Sequence, residues 1–273
     1  MKKTAVQRQF SIVEFCSAFS FSWDEHFVFH GESHNFWEIV FITGGKVEAT
    51  EDEKIYTLSE NDMLLHAPLE FHRIRSADNT HPEGMTISFR TVGTLPVELR
   101  KGIFALGATE RQEYELIFEK IRQLMAEQTE NPYAGQEAAD LLSAFLIRLG
   151  GEAAMRKIAV SATAAEYRKV VLAMTEHVCE NLTLADFAAI CNISVSYVKL
   201  LFKKYAGISP KAYYANLRIR HATALLLDGT PAIDIADQMN FSSPNYFSVF
   251  FKKHLGISPM EYKKSMEKDA AQM

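Results

Sequence analysis

Apolar positions change period along the chain. From residue 10 to about 93 they come in short β-branched or aromatic runs: Trp37–Ile42, Lys46–Thr50, Ile55–Leu58, Met63–His66 and Met85–Phe89. Turn signals separate the runs at Gly44-Gly45, Glu60-Asn61-Asp62, Ala77-Asp78-Asn79 and Pro82-Glu83-Gly84. Many short strands at close spacing predict a sandwich or small barrel.

Between 110 and 149 the period becomes helical. Tyr114, Ile117, Phe118, Ile121, Leu124 and Met125 form one stripe. After Asn131-Pro132, Ala138, Leu141, Leu142, Phe145, Leu146 and Leu149 form a second, so a helical hairpin is expected. Such a stripe packs either on the barrel or on a second copy, and its spacing does not say which. Gly150-Gly151 to about Ala165 is small and polar, the composition of a linker.

Residues 166–268 contain an internal repeat. An offset of 49 carries Ser194, Tyr197, Phe202, Lys203, Lys204, Gly207-Ile208-Ser209-Pro210 and Tyr213 onto Ser243, Tyr246, Phe251, Lys252, Lys253, Gly256-Ile257-Ser258-Pro259 and Tyr262. Phe187-Ala188 matches Ile235-Ala236 at an offset of 48, a one-residue difference that falls in the turn between helices. Thr183 with Asp186 predicts a capping box, Ser194 caps the next helix, and Gly207 stops it. In the second copy Pro231 is expected at N1 after Thr230, Asn240 in a left-handed turn, Ser243-Pro244 as the next start, and Gly256 as the stop. Ser258-Pro259-Met260-Glu261 is a third start. Each copy is helix, short turn, helix, placed at about 184–205 and 232–255. Lys211 to about Leu227 reads as a connecting helix, a rod of roughly 25 Å that suits two reading helices in grooves about 34 Å apart.

The second helix of each copy has two faces. Val198, Leu201, Phe202 and Tyr205, matched by Phe247, Phe250, Phe251 and His254, form the expected core side. Ser196, Lys199, Leu200 and Lys203, matched by Asn245, Ser248, Val249 and Lys252, form the other. Short polar and cationic groups near a helix start can read base edges, and lysines further along can meet phosphates. A solvated face is the alternative for one copy; two capped copies with paired lysines favour DNA.

Charge agrees with this division. The net charge is −5, which argues against a nucleic-acid binder until the chain is split. Residues 1–165 carry 16 basic and 24 acidic residues, residues 166–273 carry 13 and 10, and six of nine histidines precede residue 82. Three scattered cysteines without metal-ligand spacing are the usage of a reduced cytoplasm. No uncharged apolar run approaches the roughly 18 residues that span a bilayer. Arg8 and Glu14 interrupt any apolar signal after Met1-Lys2-Lys3, so no membrane is expected as a partner.

The repeat resembles the DNA-binding domain of the AraC/XylS family of bacterial transcription regulators. The carriers are Arg218-Ile219-Arg220-His221-Ala222, Leu225-Leu226, Ile235-Ala236, Phe241-Ser242, Tyr246-Phe247, Phe251-Lys252-Lys253 and Gly256 to Tyr262. The N-terminal half resembles the cupin-type sensing domain often attached to it, with motifs at His34–Glu38 and Asp62–His72. The chain departs from the pattern at Leu200 and Val249, where arginine is common, at Asn240 in place of the turn glycine, and at Asn61 before Asp62. Loss of those arginines removes the residue type best suited to bidentate guanine contacts and favours thymine-methyl contacts.

The resemblance implies two units: an all-β cupin-like barrel (1–109) with a helical hairpin and linker (110–165), then an all-α domain (166–268) with two helix-turn-helix motifs. It implies a cytoplasmic transcription regulator that binds double-stranded DNA, senses a small molecule such as a sugar or related metabolite, and is no enzyme. A homodimer through the N-terminal half, and RNA polymerase, are the further partners expected. Ser196, Tyr197, Lys199, Leu200, Lys203, Asn245, Tyr246, Ser248, Val249 and Lys252 are the expected DNA contacts. His34, Trp37, Glu38 and His72 are the expected effector contacts, with Trp37 ranked last because strand alternation sets it opposite Glu38. No cofactor is assigned. The competing reading is a metal cupin, sensor or enzyme, using His34, Glu38 and His72 with His66 or Glu32 as a fourth ligand. Against it, Glu32 and Glu70 stand where metal cupins place histidine and glycine.

Overall fold

The computed structural model describes residues 8–93, 95–100, 103–128, 130–152 and 162–264. Strands β1 (Phe10–Ser22), β2 (Val28–Glu32), β3 (Trp37–Gly44), β4 (Lys46–Glu51), β5 (Lys54–Ser59), β6 (Asp62–His66), β7 (His72–Ser76), β8 (Glu83–Gly93) and β9 (Phe104–Ala105) form two antiparallel sheets. Their orders are β1-β8-β3-β6-β9 and β2-β7-β4-β5, an open barrel in which the sheets do not join into one ring.

Alternation in β3 decides where chemistry can sit. Trp37, Ile39 and Phe41 turn outward and join Phe89 and Phe104 beneath helices α1 (Ala108–Met125) and α2 (Ala134–Glu152). Val40 and Ile42 turn inward with Val47, Leu58 and Leu64, and Glu38 shares their side. Both faces are covered, which is why the run is continuously apolar.

The hairpin stripe finds its partner within the chain. Tyr114, Ile117, Phe118 and Ile121 of α1, with Ala138, Leu142, Phe145 and Leu146 of α2, are buried in the cluster that holds Trp37 and Phe41. Met125, at the end of the first stripe, is exposed. The apolar residues left facing outward are few, Leu116 and Ile147 among them.

The rest is helical: α3 (Ala162–Glu176), α4 (Leu184–Ile190), α5 (Val195–Tyr205), α6 (Pro210–Leu227), α7 (Ala232–Gln238) and α8 (Pro244–Leu255). The sequence reading named no helix at α3. It starts four residues ahead of the boundary drawn at 166 and buries Tyr167, Val170, Val171 and Met174 with α5 and α6. Most of the expected linker lies outside the described residues, and α2 runs through Glu152. Thr183 closes a capping box with Asp186, and Ser194 and Ser243 each accept a hydrogen bond from the backbone N–H three residues on. Asn192 and Asn240 take φ of 54° and 52°, the left-handed turn that asparagine tolerates. Two expectations need correcting. Pro231 is the N-cap of α7 rather than its first residue, because its ψ of 144° is extended. His254 is exposed and bonds the Phe250 carbonyl instead of entering the core, which α8 fills with the buried rings of Phe247 and Phe251 and the partly buried ring of Phe250.

Candidate effector pocket and nucleic-acid interface

Between the sheets lies a chamber of about 130 Å³ lined by Phe19, Trp23, Phe27, Phe29, Glu32, Glu38, Val40, His66, His72, Ile74 and Thr86. Its polar end is a connected set. Ser88 donates to Glu38 at 3.1 Å, His72 Nε2 lies 3.5 Å from the same carboxyl, and His34 Nε2 lies 3.9 Å from it. His34 and His72 are placed to donate from Nδ1 to the carbonyls of Phe36 and Glu70, at 3.0 and 3.2 Å. That tautomer leaves both Nε2 lone pairs turned toward the Glu38 carboxyl, where neither makes a hydrogen bond among the described residues. His66 stacks on His72 and meets Glu51 at 2.9 Å.

Burial drives this set toward neutrality. It raises the Glu38 carboxyl to about 7 and Glu51 to about 8, lowers His66 to about 3, and pushes His34 and His72 down. A neutral acid beside neutral imidazoles offers both donors and acceptors without an uncompensated buried charge. Such a lining can pair with the hydroxyls or carbonyls of a polar guest, with apolar walls at the other end.

His34, Glu38 and His72 are thus brought together, and Trp37 is not. Its ring points away from the chamber and its Nε1 donates to Thr91 at 3.1 Å. The aromatic wall is instead Trp23, stacked between Phe21 and Phe27 with centroids 3.8 and 4.1 Å away. The sequence reading missed it. The alternation of Phe19, Phe21 and Trp23 at every second position was the available signal.

Helices α4 and α5 meet at 97°, the geometry of a helix-turn-helix. Ser196, Lys199, Leu200 and Lys203 are exposed on α5, and Asn245, Tyr246, Val249 and Lys252 on α8. Tyr197 and Ser248 are half-buried, and Ser248 donates to Pro244 O at 3.0 Å. Leu200 and Val249, at equivalent places, are 58% and 59% exposed. Neither packs inward, so both are free to meet a thymine methyl. Arg218 of α6, one of the motif residues, is buried: it donates to the Met239 carbonyl and lies over the Phe241 ring at 4.2 Å. It braces the second turn rather than facing solvent.

A family profile described as an AraC-like ligand binding domain matches residues 17–145, and one described as a helix-turn-helix domain matches 187–265. Among curated relatives, the uncharacterized HTH-type transcriptional regulator YbfI of Bacillus subtilis is 26% identical over 229 residues, 80% of this chain and 81% of its own length. The lactose operon transcription activator of Staphylococcus xylosus is 40% identical over 66 residues, 24% of each chain. Among solved structures, ToxT from Vibrio cholerae aligns over 94% of this chain and 98% of its own at 13% identity, with a TM-score of 0.38.

Proposed function

Because the chain belongs to the AraC family of transcription regulators, with a ligand-binding domain ahead of a helix-turn-helix domain, we propose that it reads a two-part DNA site under the control of a small polar effector held in the barrel. The carrying observation is the repeated capped helix pair, whose two second helices expose the same pattern: a small polar residue, an apolar tip and a lysine. Serine and asparagine at 196 and 245 suit base edges, Leu200 and Val249 suit thymine methyls, and Lys203 and Lys252 suit phosphates. Lys199, Tyr197, Tyr246 and Ser248 complete the contact set. In the barrel, His34, Glu38 and His72 hold the effector's polar groups and Trp23 packs on its apolar side.

An effector acts as a switch only if it binds the DNA-competent and incompetent states unequally. The test is a screen of sugars, polyols and small carboxylic acids for a compound that changes the affinity of the full chain for DNA. His72→Ala should abolish that response, and Lys203→Ala should weaken DNA binding with and without the compound. A His72→Ala chain that responds like the parent would place the effector elsewhere.

One observation favours a second reading. Carbonyl-bound Nδ1 atoms with free Nε2 lone pairs are how metal-ligating histidines are held. Glu38, His66 and His72 bring donor atoms within 4.8 Å of one another, as do Glu32, His34 and His72. Two imidazoles and a carboxylate fit zinc or another first-row metal. Metal content after purification without chelators separates the readings: stoichiometric metal lost in His72→Ala supports a metal site, and none supports the organic effector.

A further inference from the structure

Beneath the pocket the barrel meets the helical domain across a contact centred on one carboxylate. Asp52 begins the two-residue turn between β4 and β5, at φ 43°. Its Oδ1 accepts from the Tyr213 hydroxyl at 2.9 Å, its Oδ2 pairs with Arg220, and its carbonyl accepts from the Tyr167 hydroxyl at 2.9 Å. Tyr167 is on α3, and Tyr213 and Arg220 are on α6. Beside it Phe71, 2% exposed, leaves the barrel and joins the helical core with Tyr167, Phe202 and Tyr213. Arg73 donates to the Lys204 carbonyl at the end of α5. Gly207 sits so near the His30 carbonyl that a Cβ there would lie 2.3 Å away.

Strand alternation ties this contact to the pocket. Glu51 of β4 pairs directly with His72 of β7, so both side chains lie on one face, with His66 packed against each of them. Their chain neighbours Asp52 and Phe71 face the other way, onto α3 and α6. The two are stitched together, since the Asp52 N–H donates to the Phe71 carbonyl at 2.9 Å. Anything that moves Glu51 or His72 must therefore tilt Asp52 and Phe71.

We infer that Asp52 is an intramolecular latch that carries the state of the barrel pocket to the helix between the two DNA-reading units. It rests on the regulator reading and names how that pocket is coupled. The latch leaves both reading faces exposed, so it acts on the position of the helical domain relative to the barrel. A carboxylate held by Tyr213 and Arg220, with Tyr167 on the same residue's main-chain carbonyl, is an all-or-none contact, because loss of one donor leaves buried polar atoms unpaired.

Hydrogen exchange in the full chain tests it, read at residues 210–220, with residues 244–255 and 85–92 as internal controls of folding. Asp52→Asn, and separately Tyr213→Phe, should raise exchange at 210–220 by about tenfold, about 1.4 kcal/mol of local stability, with the controls unchanged. His66→Ala perturbs the pocket without touching α6. It should alter exchange at 210–220 when Asp52 is present and have no effect there in the Asp52→Asn background. Unchanged exchange in both latch variants would show that the contact is not formed. An equal His66→Ala effect in both backgrounds would show that coupling bypasses Asp52. Either result overturns the latch, whereas loss of DNA binding in the unaltered chain would instead overturn the regulator reading.

Discussion

Replacing Lys203 and Lys252 together should flatten the salt dependence of DNA binding. Both are exposed on the outward side of α5 and α8, three residues beyond Leu200 and Val249, and neither belongs to a core cluster. Their removal should therefore leave the fold intact. Each lysine–phosphate contact contributes about 0.9 to the slope of log affinity against log salt. Losing two lowers the slope by about 1.8, so raising salt from about 50 to about 200 mM should cost the parent roughly tenfold more affinity than the double alanine variant. Fluorescence anisotropy of a labelled duplex at several salt concentrations measures this, using a preferred sequence and a scrambled one. Because phosphates carry no sequence information, the slope should fall equally on both duplexes. An unchanged slope would refute the assignment of these lysines. A fall confined to the preferred duplex would make them base readers instead.

Arg218→Ala should destabilise the helical domain by about 2–3 kcal/mol, because the buried Met239 carbonyl loses a charged donor and Phe241 loses its cover; thermal unfolding gives the value, and a change near zero would discount the brace. Effector binding should report through Trp23, so Trp23→Phe should remove the fluorescence change and Trp37→Phe should retain it; the reverse would put the pocket on the outer face of the sheet. Glu38 and Glu51 titrate higher folded than unfolded, so their contribution is full below pH 4.5 and is lost as pH rises through about 7 to about 8. His66 and His72, held low, act oppositely and cost stability as pH falls below 6.5. Barrel stability should therefore be greatest between pH 4.5 and 6.5 and fall on either side, and Glu51→Gln should blunt the alkaline decline seen by calorimetry; an alkaline limb identical to the parent's would exclude Glu51 as its source. If a second copy docks on the hairpin, Leu116→Glu with Ile147→Glu should leave the chain monomeric in sedimentation, and an unaltered dimer would place the interface elsewhere.

The helical domain was legible because its signals are local. Caps such as Thr183/Asp186 and Ser243, stops such as Gly256, and the repeat offset lie within a few residues of what they control. Helix α3 was legible too, yet was passed over as the edge of a linker: Tyr167, Val170, Val171 and Met174 fall at i, i+3, i+4 and i+7, one apolar helical stripe, and all four are buried. In the barrel, period-2 alternation correctly warned that Trp37 and Glu38 part company. It could not say that Trp23 would be folded over the chamber by the turn at residues 24–27. The Asp52 contact was invisible because its partners lie 115 to 168 positions away in the chain.

The most direct test of the central claim is selection of duplexes from a random pool by the full chain. Two reading helices on one stiff connector should enrich a pair of short motifs about 10 base pairs apart on one face of the duplex. Leu200→Ala should relax only one motif and Val249→Ala only the other. A pool that shows no enrichment over its starting composition would contradict sequence-specific reading by this domain.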